Sequence, residues 1–213
     1  MKIINLSETD SILNQYVSEI RNVEVQNDRL RFRRNIERIG EVMAYEMSKT
    51  FAYSVKEIQT PLGIAPVRTP DNPLVISTIL RAGLPFHQGF LSYFDYAENA
   101  FVSAYRKYKD TLKFDIHIEY IGSPRIDGKT LIITDPMLAT GGSASAAISF
   151  IKKRGCSHIR LVNLIAAPEG IKRMQEDHPD VDIYVAGMDD HLNEHGYIVP
   201  GLGDAGDRLF GTK

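Results

Sequence analysis

From residue 74 onward the chain alternates short apolar runs with helix-forming stretches, and this alternation limits its fold more than any other feature. Residues 74–80, 130–134, 159–166 and 181–186 are apolar runs of strand length. Helical segments follow the first three: one through Phe94, one over 143–154 and one over 169–177. A strand buried on both faces reads as a continuous apolar run, and parallel neighbours need a crossover, usually a helix. The pattern predicts an α/β fold with a mostly parallel sheet flanked by helices. Two more strands are expected over 100–105 and 115–121, with a charged loop, 106–113, between them.

Ahead of this unit, residues 28–51 are the longest helical candidate. Phe32, Ile36, Ile39, Met43 and Met47 recur at spacings of three and four, which gives one apolar stripe suited to core or dimer packing. The same segment carries Arg29, Arg31, Arg33, Arg34 and Arg38, the densest basic stretch, which reads as a solvated face or a subunit contact. Residues 53–59 predict a strand that turns at Pro61-Leu62-Gly63, an extra hairpin outside the main sheet. No repeat or linker divides the chain. Its 213 residues suit one domain, 1–213, and are marginal for two.

Composition narrows the function classes. A formal net charge of -2, with Lys and Arg scattered, argues against a nucleic-acid module, which concentrates positive charge on one face. Cys156 is the only cysteine, so an intramolecular disulfide and a multi-cysteine metal site are both impossible; it reads as a small buried hydrophobe. The N-terminus lacks a leader pattern, and no apolar run approaches the ~20 residues of a membrane span. A cytoplasmic protein without a membrane partner is expected.

Two motif matches fail on context. Gly128-Lys129-Thr130 resembles the tail of a P-loop, but Ser123 stands where the earlier glycine belongs, and the triplet opens a strand instead of a helix. Gly201-Leu202-Gly203-Asp204-Ala205-Gly206 spells the dinucleotide fingerprint, yet it follows Pro200 instead of a strand and lies too near the end of the chain for a βαβ unit. His191 and His195 have metal-ligand spacing but no convincing helix to carry them. No metal site of protein ligands alone is expected.

The surviving signal is the strand 130–134 followed by Asp135-Pro136-Met137-Leu138-Ala139-Thr140-Gly141-Gly142-Ser143. A buried strand delivers Asp135 to its carboxyl end, and a glycine-bearing loop then opens a helix. Glycines let backbone amides close around a phosphate, and a helix N-terminus supplies unpaired N–H donors. Thr140 and Ser143 add hydroxyls. Thr-Gly-Gly-Ser would also start an ordinary helix with no ligand, but an acid at the strand end suits the hydroxyls of a ribose phosphate.

This stretch resembles the phosphoribosyl pyrophosphate motif of the type I phosphoribosyltransferases, and in its Asp-Pro pair it is similar to their uracil branch, where most relatives carry two adjacent acids. Other segments are similar too: Ile79-Leu80-Arg81-Ala82-Gly83-Leu84, Tyr105-Arg106, Ala166-Ala167-Pro168-Glu169-Gly170, and above all the run 192–208, which includes Tyr197-Ile198-Val199-Pro200-Gly201-Leu202-Gly203-Asp204-Ala205. After Arg106 the chain reads Lys107-Tyr108-Lys109-Asp110 where the family has a more acidic run.

The resemblance implies the type I phosphoribosyltransferase fold, with 187–213 contributing a base-binding hood, and transfer of ribose 5-phosphate from phosphoribosyl pyrophosphate (PRPP) to uracil. It implies that Arg81, Arg106 and residues 135–143 bind PRPP, with Arg81 and Asp135 acting on the leaving group and the ribose. Asp204 would lie near the ribose or the metal-bound pyrophosphate. Ile198, Gly203 and Ala205 would meet the base mainly through main chain, with Tyr197 packing against the ring; truncating the Ile198 side chain is then expected to be mild. It further implies Mg²⁺ arriving with PRPP, and a homodimer or larger assembly. GTP activates some relatives, and no residue pattern here identifies a site for it. The alternatives are an RNA-binding regulatory homologue, disfavoured by the charge and the Asp135-Pro136 pair, and a transferase for another base.

Overall fold

The computed structural model describes residues 1–108 and 114–211, with backbone only for 104–108 and 114–121. The chain opens with β1 (Ile3–Asn5), a 3-10 turn (Leu6–Glu8) and α1 (Ile12–Arg21). Helix α2 (Arg29–Ser48) is the long one, and its start is fixed by Asp28, whose carboxylate accepts from the Arg31 amide at 3.0 Å. Next comes a hairpin of β2 (Tyr53–Thr60) and β3 (Gly63–Pro70), then β4 (Leu74–Leu80), α3 (Leu84–Tyr93), β5 (Glu98–Tyr108) and β6 (Phe114–Gly122). The remainder runs β7 (Thr130–Thr134), β8 (Met137–Leu138), α4 (Gly142–Lys152), β9 (His158–Ala166), α5 (Pro168–Asp177), β10 (Asp182–Met188), β11 (His191–Leu192), β12 (Ile198–Val199) and α6 (Ala205–Phe210).

The main sheet has the order β1-β10-β9-β7-β4-β5-β6, with the two-residue β8 paired to β9. All of its pairings are parallel except β5 with β6. From β4 the chain first steps outward to β5 and β6, then returns to β7 on the other side of β4 and continues to β9 and β10. The strand order therefore reverses between β4 and β7. Right-handed crossovers on either side of such a reversal place their helices on opposite faces and leave a crevice at the carboxyl ends of the two strands.

Two apolar cores result. The stripe of α2 (Phe32, Ile36, Ile39, Met43, Met47, each no more than 1% exposed) packs with α1, α3 and one face of the sheet. Helices α4 and α5 cover the other face through Ala144, Ala147, Ile148, Ile171 and Met174. Each fully buried aliphatic or aromatic side chain contributes about 1.5–3 kcal/mol. In α2 and α3 the backbones nearly touch: a Cβ on Gly89 would stand 2.1 Å from the Glu37 carbonyl oxygen and 2.9 Å from Gly40 Cα.

The structure extends or corrects several expectations. Helix α1 and strand β1 add elements where residues 1–27 suggested none. Helix α2 ends at Ser48, short of Phe51. Residues 106–108, expected in a loop, continue β5, paired as far as Tyr108 with Phe114; strand pairing overrides the local charge. Residues 109–113 of that expected loop lie outside the described residues. The arginines of α2 also divide their roles. Arg31 bridges to Glu19 of α1 at 2.8 Å, Arg33 donates to the Leu209 carbonyl at 3.0 Å, and Arg34 pairs with Glu37. Cys156 is buried, as its composition-based reading requires, with its thiol 3.8 Å from the His158 carbonyl oxygen. No helix among the described residues is long and apolar enough to cross a membrane.

Candidate active site

The crevice is built from three neighbouring strand ends. Arg81 follows β4, Asp135 follows β7, and Arg106 lies on β5 beyond the last rung shared with β4, where Leu80 pairs with Ser103. The side chain of Arg106 lies outside the described residues, while its backbone pairs opposite Ile116. Just below the crevice, Thr78 Oγ1 donates to the Thr134 carbonyl and Thr134 Oγ1 to the Ser77 carbonyl, each at 3.2 Å. These two bonds lock the ends of β4 and β7 together.

The loop after β4 turns back over that lock. The Gly83 amide donates to the Ile79 carbonyl at 3.2 Å and the Leu84 amide to the Arg81 carbonyl at 3.2 Å. A Cβ on Gly83 would lie 2.0 Å from Thr78 Oγ1 and 2.8 Å from the Ile79 carbonyl oxygen, so only glycine fits. The Leu80–Arg81 peptide is cis. Arg81 itself is exposed at the crevice mouth, available to an anion.

Asp135 leaves β7 half-buried. Its amide donates to the Val162 carbonyl and its carbonyl accepts from Asn163 Nδ2 at 2.7 Å, so β9 fixes the backbone beneath the carboxyl. Burial pushes the carboxyl up to about 7, and the Met137 amide, 3.4 Å away, offsets only part of that shift. An acid in this state gains from any ligand that supplies donors to its charged form. Asn163 carried no recognisable signal in sequence; its role depends on β9 lying beside β7.

Beyond Asp135 the chain makes the short β8 and then the turn into α4. Gly141 has φ +74° and caps α4 with no side-chain hydrogen bond, and the first helical bond runs from Ser145 N to the Gly141 carbonyl at 2.9 Å. Helices α3 and α5 also start without a side-chain cap, but each has a proline in its first turn, which α4 does not. The amides of Gly142, Ser143 and Ala144 are the first of α4, and the contact made here is a long one of 3.5 Å from Gly142 N to Thr140 Oγ1. An uncapped start of this kind can receive an anion.

Helix α5 supports the turn from behind. A Cβ on Gly170 would lie 2.5 Å from the Ala139 carbonyl oxygen and 2.7 Å from that of Leu138, a contact only glycine allows. Glu169 of the same helix accepts from the Leu192 amide at 2.9 Å and so ties the C-terminal segment to this wall. The Leu192 bond also holds the Glu169 carboxyl below its ordinary range.

The C-terminal segment packs beside this turn. Strands β11 and β12 form a two-stranded hairpin, and Ile198, Leu202, Ala205 and Leu209 are buried in the same core as α1 and α2. A Cβ on Gly196 would stand 4.0 Å from Thr140 Cγ2, which brings this segment against the turn at 140–143. Tyr197 is 39% exposed and Gly203 exposed, while Ile198 is 5% exposed with its side chain turned inward. Truncating Ile198 therefore removes core packing, contrary to the mild effect expected from sequence. Asp204 caps α6, accepting from the Asp207 amide at 3.0 Å, and is half-buried. The apparent dinucleotide fingerprint follows a two-residue strand after all, but the six-residue α6 packs in the core beside α2, with no further strand among the described residues. His191 and His195 stand on β11 and in the following turn, and no cluster of metal ligands occurs among the described residues.

Comparison with known proteins bears on this geometry. A family model described as uracil phosphoribosyltransferase matches residues 7–212. A protein of Porphyromonas gingivalis named uracil phosphoribosyltransferase is 56% identical over 215 aligned residues, covering 100% of both chains. One from Finegoldia magna with the same name is 52% identical over 185 residues, covering 85% of this chain and 87% of its own. Among solved structures, a protein from Aquifex aeolicus superposes with a TM-score of 0.89 at 35% identity, covering 99% of each chain. A hypoxanthine phosphoribosyltransferase from Staphylococcus aureus shares the fold at a TM-score of 0.54 and 18% identity, over 75% of this chain and 76% of its own.

Proposed function

Because the chain belongs to the uracil phosphoribosyltransferase family, we propose that the crevice joins uracil N1 to the C1 of PRPP and releases pyrophosphate, giving UMP in pyrimidine salvage. The observation that carries this reading is the meeting of two halves. An uncapped helix start lies at residues 140–143, and the glycine-rich segment 196–205 approaches it at Gly196 and Thr140.

Each group then has a role in the reaction. The turn at 140–143 holds the 5-phosphate through amides and hydroxyls. A helix N-terminus contributes only about 0.3–1 kcal/mol per exposed interaction, too little for a donor with several charges. Arg81 and Arg106 supply the cationic partners for the pyrophosphate. Asp135 accepts hydrogen bonds from the ribose hydroxyls. As the C1–oxygen bond to pyrophosphate breaks, positive charge develops on the ribose, and a carboxylate held beside it favours that state over the ground state. Uracil N1 forms the new bond to C1 as the pair of electrons leaves with the pyrophosphate oxygen, and the N1 proton passes through water to the departing pyrophosphate.

Mg²⁺ enters as part of the donor substrate, neutralising its phosphates. The oxygen donors of Asp135 and Asp204 suit a hard cation that keeps most of its water. Uracil lies against main-chain groups of Ile198, Gly203 and Ala205 beside Tyr197. Inward burial of the Ile198 and Ala205 side chains supports this, because it leaves their backbone edges as what the segment can offer.

A homo-oligomer completes the reading. The β2–β3 hairpin stands outside the main sheet and carries exposed apolar side chains on both faces: Val55 and Ile64 on one, Ile58 and Val67 on the other, with Leu62 fully exposed at the tip. A two-stranded hairpin is marginal alone in water. A second copy of the chain covering it would account for that surface.

Turnover of uracil with PRPP and Mg²⁺, followed by pyrophosphate release, tests the activity, with hypoxanthine and orotate as competitors. Preference for either competitor, or no turnover with any base, would refute it.

A further inference from the structure

We propose that Arg21 and Asp189 are positioning residues for the base, acting through Gly201; this rests on the reading that segment 197–205 receives uracil. Arg21 stands at the last residue of α1. Its Nη1 donates to Asp189 Oδ2 at 2.9 Å and its Nη2 to Oδ1 at 2.5 Å, a two-pronged pair. The same Nη1 also donates to the Gly201 carbonyl at 3.0 Å, while the Gly201 amide donates to Asp189 Oδ2 at 2.9 Å. Both polar groups of Gly201 are thus held by one ion pair.

The pair is anchored to the sheet. The Asp189 amide donates to the Ala166 carbonyl at the end of β9, and the Asp189 side chain is only 3% exposed. Room for the guanidinium is cut into β10, where a Cβ on Gly187 would lie 3.1 Å from Arg21 Nη2. Gly201 has φ +62°, and a Cβ there would meet the Ile198 carbonyl oxygen at 2.1 Å. The held peptide therefore sits directly against the main chain that faces the base.

Apolar packing of Ile198, Leu202, Ala205 and Leu209 already keeps the segment in place. Such packing has no direction and leaves the aim of peptide N–H and C=O groups free. Recognition through main chain needs that aim held to about 0.5 Å. The ion pair supplies it, reaching into the pocket from an element remote in sequence.

The test compares Arg21→Ala, Arg21→Lys and Asp189→Asn with wild type in steady-state kinetics. A misplacement near 1 Å costs up to about a hundredfold, so we expect Arg21→Ala to raise uracil KM by about ten- to a hundredfold. The KM for PRPP and kcat at saturating uracil should stay at wild-type values. Arg21→Lys, which keeps a cation beside Asp189 without the fork, should recover part of the loss and carries the test if Arg21→Ala does not fold. Gly203→Val, within the pocket itself, separates the two ideas. If it raises uracil KM while the folded Arg21 and Asp189 variants do not, the positioning role is wrong and the pocket stands. If it leaves uracil KM unchanged, the pocket assignment fails first. Parallel losses in kcat and both KM values would mark a purely structural pair and overturn the proposal.

Discussion

Replacing Asp135 with Asn should separate stability from activity. Burial raises the Asp135 carboxyl from 3.8 to about 7. A group with a raised folded-state pKa contributes stability that is fully present below about 3.8 and is lost as pH climbs to about 7, since the unfolded chain gives up the proton first. The span of about three, at about 1.4 kcal/mol for each tenfold change in proton affinity, sets a ceiling of about 4 kcal/mol. Water at the crevice mouth reduces this to about 2 kcal/mol, or about 4–8 °C in Tm for a chain of this size. Asn keeps the shape and can still accept from the Met137 amide, but it carries no charge. Without substrates, Asp135→Asn should match wild type near pH 4 and exceed it above pH 7.5, as read by denaturant unfolding across that range. Taking the difference between the two proteins cancels every titration they share. The same variant should lose about 10²–10³ in kcat, because no negative charge then meets the developing positive charge on the ribose. A stability difference that does not change with pH, or a variant less stable than wild type at pH 8, would refute the account of this carboxyl.

Other expectations follow from single contacts. Arg81→Ala should remove most activity and raise the KM for PRPP with little change in Tm, because Arg81 is exposed at the mouth; near-normal turnover would move the pyrophosphate site elsewhere. Gly83→Ala should cost stability and activity together, since its methyl would fall 2.0 Å from Thr78 Oγ1 at the β4–β7 lock. Gly170→Ala should push the anion turn forward, raising the KM for PRPP more than that for uracil. Gly89→Ala should destabilise the protein by about 1–3 kcal/mol in denaturant unfolding through separation of α2 and α3, the usual range for overpacking.

How much of this was readable from sequence depends on the distance over which each feature is written. The parallel strands, the long helix and the glycine-bearing turn into α4 were legible. Periods of two and 3.6, a strand ending in an acid, and glycines before a helix are all recorded within a few neighbouring residues. The resemblance of 192–208 to a known family likewise pointed to the base segment without any coordinates. Helix α1 escaped because it is short: ten residues carry one stripe of three buried side chains, Leu13, Val17 and Ile20, against the twenty residues of α2. Residues 106–108 were misread because pairing with β6 outweighs local charge.

Sequence alone determined the buried strand, the acid at its end and the glycine-bearing turn that opens the next helix, because side chains and glycines impose local geometry wherever they occur. Only the tertiary structure decided that burial raises the Asp135 carboxyl, that the turn at 140–143 lacks a side-chain cap, and that Arg21 and Asp189 together grip Gly201. Those properties belong to groups far apart along the chain, and they exist only once packing has excluded water and brought the groups within hydrogen-bonding reach.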